Sequence, residues 1–192
     1  MIRKGKINQI FWRNKRVLVT GHNGFKGSWL VLWLKSLGSN VCGISLENND
    51  EFSLFSSLKL ESEIDENHFQ DINQLEKINF IINSFQPEIV FHLAAQSLVR
   101  TSYLDPIQTW KTNVIGSLNI LESLKSLKNK CVVIMVTTDK VYENNEDKYG
   151  FKEGDRLGGN DPYSASKAAC EIAISSWRKS FCGKKKDQVK NI

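Results

Sequence analysis

The chain has 192 residues, of which 41% are hydrophobic and 24% charged, and its net charge is +5 at pH 7. This length suits one domain with its own core, and the composition is that of an ordinary globular protein, not of a disordered or fibrous one. Lys35 interrupts the most apolar stretch, and the basic N-terminus lacks the apolar centre of a secretion signal, so we predict a cytoplasmic protein with no membrane partner.

The cysteines and the charge distribution restrict further which ligands and partners the sequence predicts. Cys42, Cys131, Cys170 and Cys182 are scattered without a C-x-x-C pair, which predicts reduced thiols and neither a disulfide framework nor a metal site. Residues 1–46 hold eight Lys or Arg and no acid, an excess that could help to hold a phosphorylated ligand. No aromatic residues stand between the lysines of the tail, and no nucleic-acid motif is present, so we predict no nucleic-acid partner.

Apolar strands and amphipathic helices alternate along the chain. Strands are predicted at residues 16–20, 40–46, 88–95 and 131–138, and helices at residues 27–38, 73–85, 106–127 and 162–181. Continuously apolar strands separated by long helices are typical of a parallel sheet covered on both faces. The predicted fold class is therefore α/β, a doubly wound Rossmann-type parallel sheet with helices on both faces.

Three glycines lie between the first strand and the first long helix, in "VTGHNGFKGSW". A glycine can supply the dihedral angles of a tight turn, and others let the backbone approach a ligand and let helix and strand pack closely. The N–H groups at the start of the following helix suit a pyrophosphate. The spacing is G-x-x-G-x-x-G, however, and a turn that serves only packing remains the alternative.

Two further motifs follow strands of the predicted sheet. In "PYSASK", Tyr163 and Lys167 are four residues apart and so share one helix face, where a phenol and an ammonium group can meet one ligand. A tyrosine acting as a base at pH 7 needs its pKa lowered by about three units, which a neighbouring ammonium group favours. "VTTDK" ends an apolar strand, where open parallel sheets bind ligands. The alternatives are a surface Tyr–Lys pair and a turn formed by Thr138 and Asp139.

These motifs, with "FHLAAQ" and "TNVIGSLNILE", occur in the order and spacing of the extended short-chain dehydrogenase/reductase superfamily. "HLAAQSLVRTSYLDPIQTWKTNVIGSLNILE" and "GGNDPYSASKAACE" resemble the CDP-glucose 4,6-dehydratase family more closely. The resemblance implies an NAD-dependent lyase: hydride leaves C4 of the glucose ring of CDP-glucose, water is lost across C5 and C6, and the hydride returns at C6. The product would be CDP-4-keto-6-deoxyglucose, for O-antigen and other deoxysugar polysaccharides.

The resemblance also implies roles for single residues. Tyr163 would take the proton of the C4 hydroxyl group, Lys167 would lower the pKa of Tyr163 and hold the nicotinamide ribose, and Thr138 would bind the same oxygen. Asp139 would protonate the departing C6 hydroxyl group, and Lys140 would act at C5 as a base or an electrostatic stabiliser. The NAD contacts would come from Gly21, His22, Gly24, Phe25, Gly27, Asp71, Ile72, Leu93, Ala94 and Ala95, with Tyr163 and Lys167; a His22 that only packs is the alternative.

The chain departs from the family in two respects. Ser45 stands where a carboxylate for the adenosine ribose is expected, with Glu47 two residues later, so the preference for NAD over NADP rests on the resemblance. Family members are also longer. We expect residues 1–183 to form the NAD-binding Rossmann domain with the catalytic residues, residues 184–192 to be a basic tail before a further strand, and the C-terminal substrate-binding part to be missing.

Three alternatives remain from the sequence. The parent protein could be another nucleotide-sugar dehydratase or an epimerase, which does not need the Asp139 acid, or the chain could be a non-catalytic NAD-binding module. The family further implies a homodimer through the helices at residues 106–127 and 163–182, although the apolar positions of these helices could all serve the core.

Overall fold

The computed structural model describes residues 8–48, 50–144 and 150–182, so the predicted tail at 184–192 lies outside the described residues. Five parallel strands form one sheet in the order β3-β2-β1-β4-β5. The strands are β1 (Arg16–Thr20), β2 (Asn40–Ser45), β3 (Glu66–Phe69), β4 (Ile89–His92) and β5 (Val132–Met135). The connections diverge between β1 and β4, and in such sheets the ligand binds beyond the carboxyl ends of the strands at this point.

Eight α-helices and several short helical turns connect the described strands. The helices are α1 (Gln9–Trp12), α2 (Phe25–Ser36), α3 (Leu54–Ser57), α4 (Leu75–Phe85), α5 (Val99–Leu104), α6 (Pro106–Trp110), α7 (Ser117–Ser123) and α8 (Pro162–Phe181). A π-helical segment (Lys111–Gly116) joins α6 to α7, and 3-10 turns lie at Leu60–Ser62, Leu124–Ser126 and Asp139–Val141. No helix of the described residues is both long and apolar enough to cross a membrane.

Helices cover both faces of the sheet at β1, β2 and β4, whereas β5 exposes Val132 and Ile134 to solvent. Side chains alternate along β1, so that Leu18 enters one core and Val17 and Val19 enter the other. The first core includes side chains of α4, α7 and α8, and the second includes Val31 and Leu34 of α2. This arrangement explains the continuously apolar strands and confirms the doubly wound α/β fold.

The sequence prediction did not contain the short helices α1, α3 and α5, and it was also wrong at an edge strand and within a long helix. It contained no strand at β3, whose sequence ENHF is short, polar and only partly buried, so it lacks the apolar run by which the other strands were recognised. It also treated residues 106–127 as one α-helix, whereas a π-helical segment interrupts the helix there. Segments of this kind are frequent at functional sites, and this one carries the buried residue Asn113.

Candidate active site

A cavity of about 600 Å³ lies beyond the carboxyl ends of the strands, at the point where the connections diverge. Its volume is within the range of cofactor sites in proteins. The segments that follow all five strands contribute to its wall, together with the start of α2 and one face of α8. The lining residues are Gly21, Asn23, Gly24, Phe25, Lys26, Gly27, Ser45, Leu46, Glu47, Asn48, Gln70, Asp71, Ile72, Leu93, Ala94, Ala95, Ser97, Thr112, Val136, Thr137, Tyr163 and Lys167.

The glycine turn forms the floor of the cavity between β1 and α2. Gly21 has φ +70°, which L side chains rarely adopt, and a Cβ atom on it would lie 2.9 Å from the Ala94 backbone nitrogen. A Cβ atom on Gly27 would lie only 2.1 Å from the Gly21 carbonyl oxygen. Gly24 precedes the first residue of α2, so the unbonded N–H groups of the helix start face the cavity side of the turn. The turn can therefore receive a pyrophosphate.

Helix α8 brings Tyr163 and Lys167 to the opposite wall. The helix begins at Pro162, and the Asp161 carboxylate caps it by accepting a hydrogen bond from the Ser164 backbone N–H, at 2.9 Å. Lys167 is only 4% exposed, and its ammonium group donates to the Val136 carbonyl oxygen at 3.1 Å. Burial lowers the pKa of Lys167, while the charge of Glu171 acts in the opposite direction. A buried amino group is thus held in the same cavity wall that Tyr163 lines.

Four of the predicted site residues do not line the cavity. The His22 ring lies against Gly43 of β2, stacks on Phe69 and donates from Nε2 to the Asn67 side-chain oxygen at 2.7 Å, so the ring packs between these strands. Burial lowers the pKa of His22. The other three are Thr138, Asp139 and Lys140, at and after the end of the apolar segment.

Asp139 and Lys140 belong to the 3-10 turn at Asp139–Val141, which Thr138 caps, beside the cavity. The Thr138 hydroxyl group donates to the Asp139 carboxylate at 3.1 Å, and Asp139 and Lys140 are exposed to solvent. Lys140 also acts on Asp161, the residue that caps α8. The pKa of Asp161 is below its ordinary value: burial raises it, but hydrogen bonds from Ser164 and the charge of Lys140 lower it by more. Lys140 therefore lies near the start of α8, outside the cavity that Val136 and Thr137 line.

A buried hydrogen-bond chain links the sheet to the segments around the cavity. The Ser117 hydroxyl group donates to the Asn113 carbonyl oxygen, so it can only accept from His92 Nε2, at 2.9 Å. The neutral ring then accepts at Nδ1 from the Thr20 hydroxyl group, at 2.7 Å. Thr20 Oγ1 in turn accepts from the Ala94 backbone N–H, at 3.1 Å. The network assigns one tautomer to His92 and fixes the position of Ala94 in the cavity wall.

The π-helical segment extends this chain to helix α8. The Asn113 side chain accepts from the Gln96 backbone N–H at 2.9 Å and donates to the Gln96 carbonyl oxygen at 3.1 Å. It also donates to the Ser166 hydroxyl group, which in turn donates to the Tyr163 carbonyl oxygen. The wall that carries Ala94 and the helix that carries Tyr163 are therefore joined by paired, buried polar groups, which are costly to break.

His92 gives the folded protein a pH dependence of known sign. Burial, and then the charge of Lys167, lower the pKa of His92 to about 3 from an ordinary 6.5. Its stabilising contribution is therefore complete above pH 6.5 and is lost as the pH falls towards 3. When the pH is lowered from 7 to 4.5, we expect the free energy of unfolding to fall by roughly 2–3 kcal/mol less in His92→Phe than in the wild type. Urea unfolding at the two pH values measures this difference, and equal decreases in both proteins would contradict the assignment.

The sequence did not identify half of the lining residues. Ser45 is the most informative of them, because its hydroxyl group is buried at the end of β2 and has no hydrogen-bond partner within the described structure. A buried hydroxyl group of this kind fits a ligand that itself carries hydroxyl groups, such as a ribose. Its position after an apolar strand was visible in the sequence, whereas its lack of a partner depends on the folded surroundings.

The comparisons with known proteins agree with this geometry. The sequence model of the family described as GDP-mannose 4,6 dehydratase matches residues 18–183. A CDP-glucose 4,6-dehydratase of Salmonella typhimurium is 47% identical over 175 residues, covering 91% of this chain and 48% of the relative. A probable dTDP-glucose 4,6-dehydratase of Sinorhizobium fredii is 34% identical over 86% of this chain and 50% of the relative. The chain thus spans about half the length of these curated relatives.

Solved structures show the same fold. A UDP-glucose 4-epimerase of Thermus thermophilus, in complex with NAD, superposes with a TM-score of 0.73 at 29% identity, over 86% of this chain and 51% of the other. A UDP-glucose 4-epimerase of Thermotoga maritima, solved with UDP-glucose, has the same TM-score and identity. The superposition covers 86% of this chain and 52% of the other. The doubly wound sheet is therefore shared with enzymes of nucleotide sugars.

Proposed function

The chain belongs to the GDP-mannose 4,6-dehydratase family, and from this premise we propose that it is the NAD-binding and catalytic part of a CDP-glucose 4,6-dehydratase. The observation that carries the proposal is the meeting of three predicted elements at one cavity: the glycine turn, the Leu93–Ala95 segment, and the Tyr163–Lys167 pair. The choice of CDP-glucose is supported by the 47% identical relative. The Thr138-Asp139-Lys140 triplet also supports it, because it resembles the CDP-glucose family, whereas dTDP-glucose dehydratases have a glutamate where Lys140 stands. The NAD-binding unit would comprise residues 1–183.

The residues of the cavity fit NAD. The start of α2 and the glycine turn would hold the pyrophosphate, and the unpaired Ser45 hydroxyl group would bind the adenosine ribose beside Asp71 and Ile72. The Tyr163–Lys167 wall would then face the nicotinamide end. Bound NAD would supply the acceptor for a hydride from C4 of the sugar and the donor that returns it at C6.

The side chains of this chain would carry the proton transfers. Tyr163 would take the proton of the C4 hydroxyl group, and the buried ammonium group of Lys167 would favour the phenolate form that this requires. Thr138 would bind the same oxygen. Asp139 would protonate the C6 hydroxyl group as it leaves, and Lys140 would stabilise the negative charge that develops at C5. In this proposal the sugar extends from the cavity past the 3-10 turn that carries these residues.

One other function is supported by a specific observation. The two solved structures described above are UDP-glucose 4-epimerases, so an epimerase is the second candidate. An epimerase oxidises and reduces C4 without losing water and has no use for an acid at C6. A non-catalytic NAD-binding module, the third alternative from the sequence, would bind NAD in the cavity and catalyse neither reaction.

We expect Asp139→Asn to abolish water loss without preventing the oxidation of C4. The test uses a fusion protein, in which residues 1–182 of this chain precede the corresponding C-terminal half of the Salmonella typhimurium relative. It is incubated with NAD and CDP-glucose, and the sugar nucleotide is followed by mass spectrometry. The variant is expected to lose water about 10²–10⁴-fold more slowly than the parent fusion. Equal rates would remove Asp139 as the acid, and NAD binding without any reaction would favour the non-catalytic module.

A homodimer through α6–α7 and α8 is also proposed. The support is the set of apolar side chains that these helices expose to solvent: Ile107, Trp110, Ile115 and Ile172. Sedimentation of the fusion protein as a monomer at micromolar concentration would refute this interface.

A further inference from the structure

A second cluster of reactive side chains lies outside the cavity, at the β3 edge of the sheet. Cys42 of β2 is the register partner of Glu66 of β3, and His68 lies two residues further along β3 on the same face. The cysteine sulfur, a carboxylate oxygen and an imidazole nitrogen all lie within 4.8 Å of one another. None of these residues lines the cavity or has a part in the proposed reaction.

The donor set is one that Zn²⁺ selects. Zinc binds thiolate, imidazole and carboxylate groups tetrahedrally at about 2.0–2.3 Å, so its ligand atoms stand roughly 3.3–3.8 Å apart. No separation in the cluster therefore needs to shorten by more than about 1.5 Å. A thiolate and a carboxylate together neutralise the two charges of the ion. Cys42 is fully buried, whereas Glu66 and His68 are 41% and 34% exposed in their side chains, so an ion can enter from solvent.

An ion bound at this cluster would have a structural role, because it would link the edge strand β3 to β2. β3 is an edge strand of four residues, paired on one side only within the described sheet. Asn67, between the two β3 ligands, points to the opposite face and accepts the hydrogen bond of His22 in the glycine turn. Gln70, which follows β3, begins the segment that continues into the cavity wall. A bond from β3 to β2 would thus hold that wall and the turn in register.

We propose that Cys42, Glu66 and His68 bind one Zn²⁺ ion, with water as the fourth ligand, and that the ion holds β3 against β2. The cysteine spacing predicted no metal site, because this one consists of a single cysteine and two residues that lie 24 and 26 positions later and reach it only through strand pairing. The proposal is independent of the function proposed for the cavity.

The test uses the 192-residue chain freed of metal with a chelator. We expect calorimetric titration with zinc chloride to show one equivalent bound, and His68→Asn and Cys42→Ala to weaken binding by about 100-fold or more. Cys131→Ala, which removes a buried cysteine elsewhere, is the matched control and should bind like the wild type. Cobalt(II) in place of zinc should give a thiolate-to-cobalt charge-transfer band in the wild type and in His68→Asn at high cobalt concentration, but not in Cys42→Ala.

Hydrogen exchange tests the structural role. The backbone amides of residues 66–69 should exchange more slowly with zinc bound, and those of β4 should be unchanged. No stoichiometric binding, equal binding by the wild type and both ligand variants, or a cobalt spectrum without the thiolate band would overturn the site. Binding without slower exchange in β3 would overturn its role as a link between the strands.

Discussion

Tyr163→Phe is expected to lower the rate of CDP-glucose dehydration about 10³-fold in the fusion protein, within the ~10²–10⁴-fold range of general acid–base catalysis. The phenylalanine retains the ring but has no hydroxyl group to take the C4 proton. Because the start of α8 is fixed by Pro162 and by the Asp161 cap, neither of which changes, the free energy of unfolding and the affinity for NAD should stay close to the wild-type values.

Tyr103→Phe is the matched control for this prediction. Tyr103 lies on α5, is 64% exposed and does not line the cavity, so its loss of a hydroxyl group should leave the rate unchanged. Initial rates by mass spectrometry and NAD titration by calorimetry separate catalysis from binding. A Tyr163→Phe protein with a wild-type rate would show that another group takes the proton, and equal losses in both variants would show a general effect of removing a phenol.

Gly27→Ala is expected to give the largest loss of stability of a single methyl addition near the site, about 3 kcal/mol or more. The new Cβ atom would lie 2.1 Å from the Gly21 carbonyl oxygen and 2.7 Å from the His22 Cα atom. Both neighbours are backbone atoms of the turn, so the clash cannot be relieved by a change of rotamer. The turn has to open, and NAD binding should be lost together with the stability.

Gly154→Ala is the control, because no atom lies within 4 Å of the Cβ position there. Urea unfolding of the 192-residue chain should give this variant a free energy of unfolding close to that of the wild type. NAD titration should likewise give an unchanged affinity. If Gly27→Ala were as stable as Gly154→Ala, the result would contradict the close contact between Gly27 of α2 and the backbone of the glycine turn.

The sequence predicted the parts of the fold that depend on local pattern. β1, β2, β4 and β5 are apolar runs, and each was recognised by that property. β3 was missed because it forms by pairing with β2 at the sheet edge and has little apolar surface of its own. The π-helical segment was missed because it is defined by which carbonyl oxygen each backbone N–H group bonds, which the sequence pattern of apolar residues does not report.

In the candidate site, too, the sequence predicted the local motifs and missed the contacts between residues that are distant in the sequence. The glycine turn and the Tyr163–Lys167 pair are local motifs, and the structure places both at the cavity. The hydrogen-bond chain through His92 joins residues that are 72 and 25 positions apart in the sequence, so no local motif indicates it. The proposed roles of Thr138, Asp139 and Lys140 come from the resemblance, and these residues lie beside the cavity, outside its wall.

The measurement that tests the central claim most directly follows a labelled hydride. CDP-glucose carrying deuterium at C4 is incubated with NAD and the fusion protein, and the product is analysed by mass spectrometry and NMR. The proposed function predicts a product that has lost one water and carries the deuterium at C6. A product that retains its water and differs only in the configuration at C4 would contradict the dehydratase and establish an epimerase.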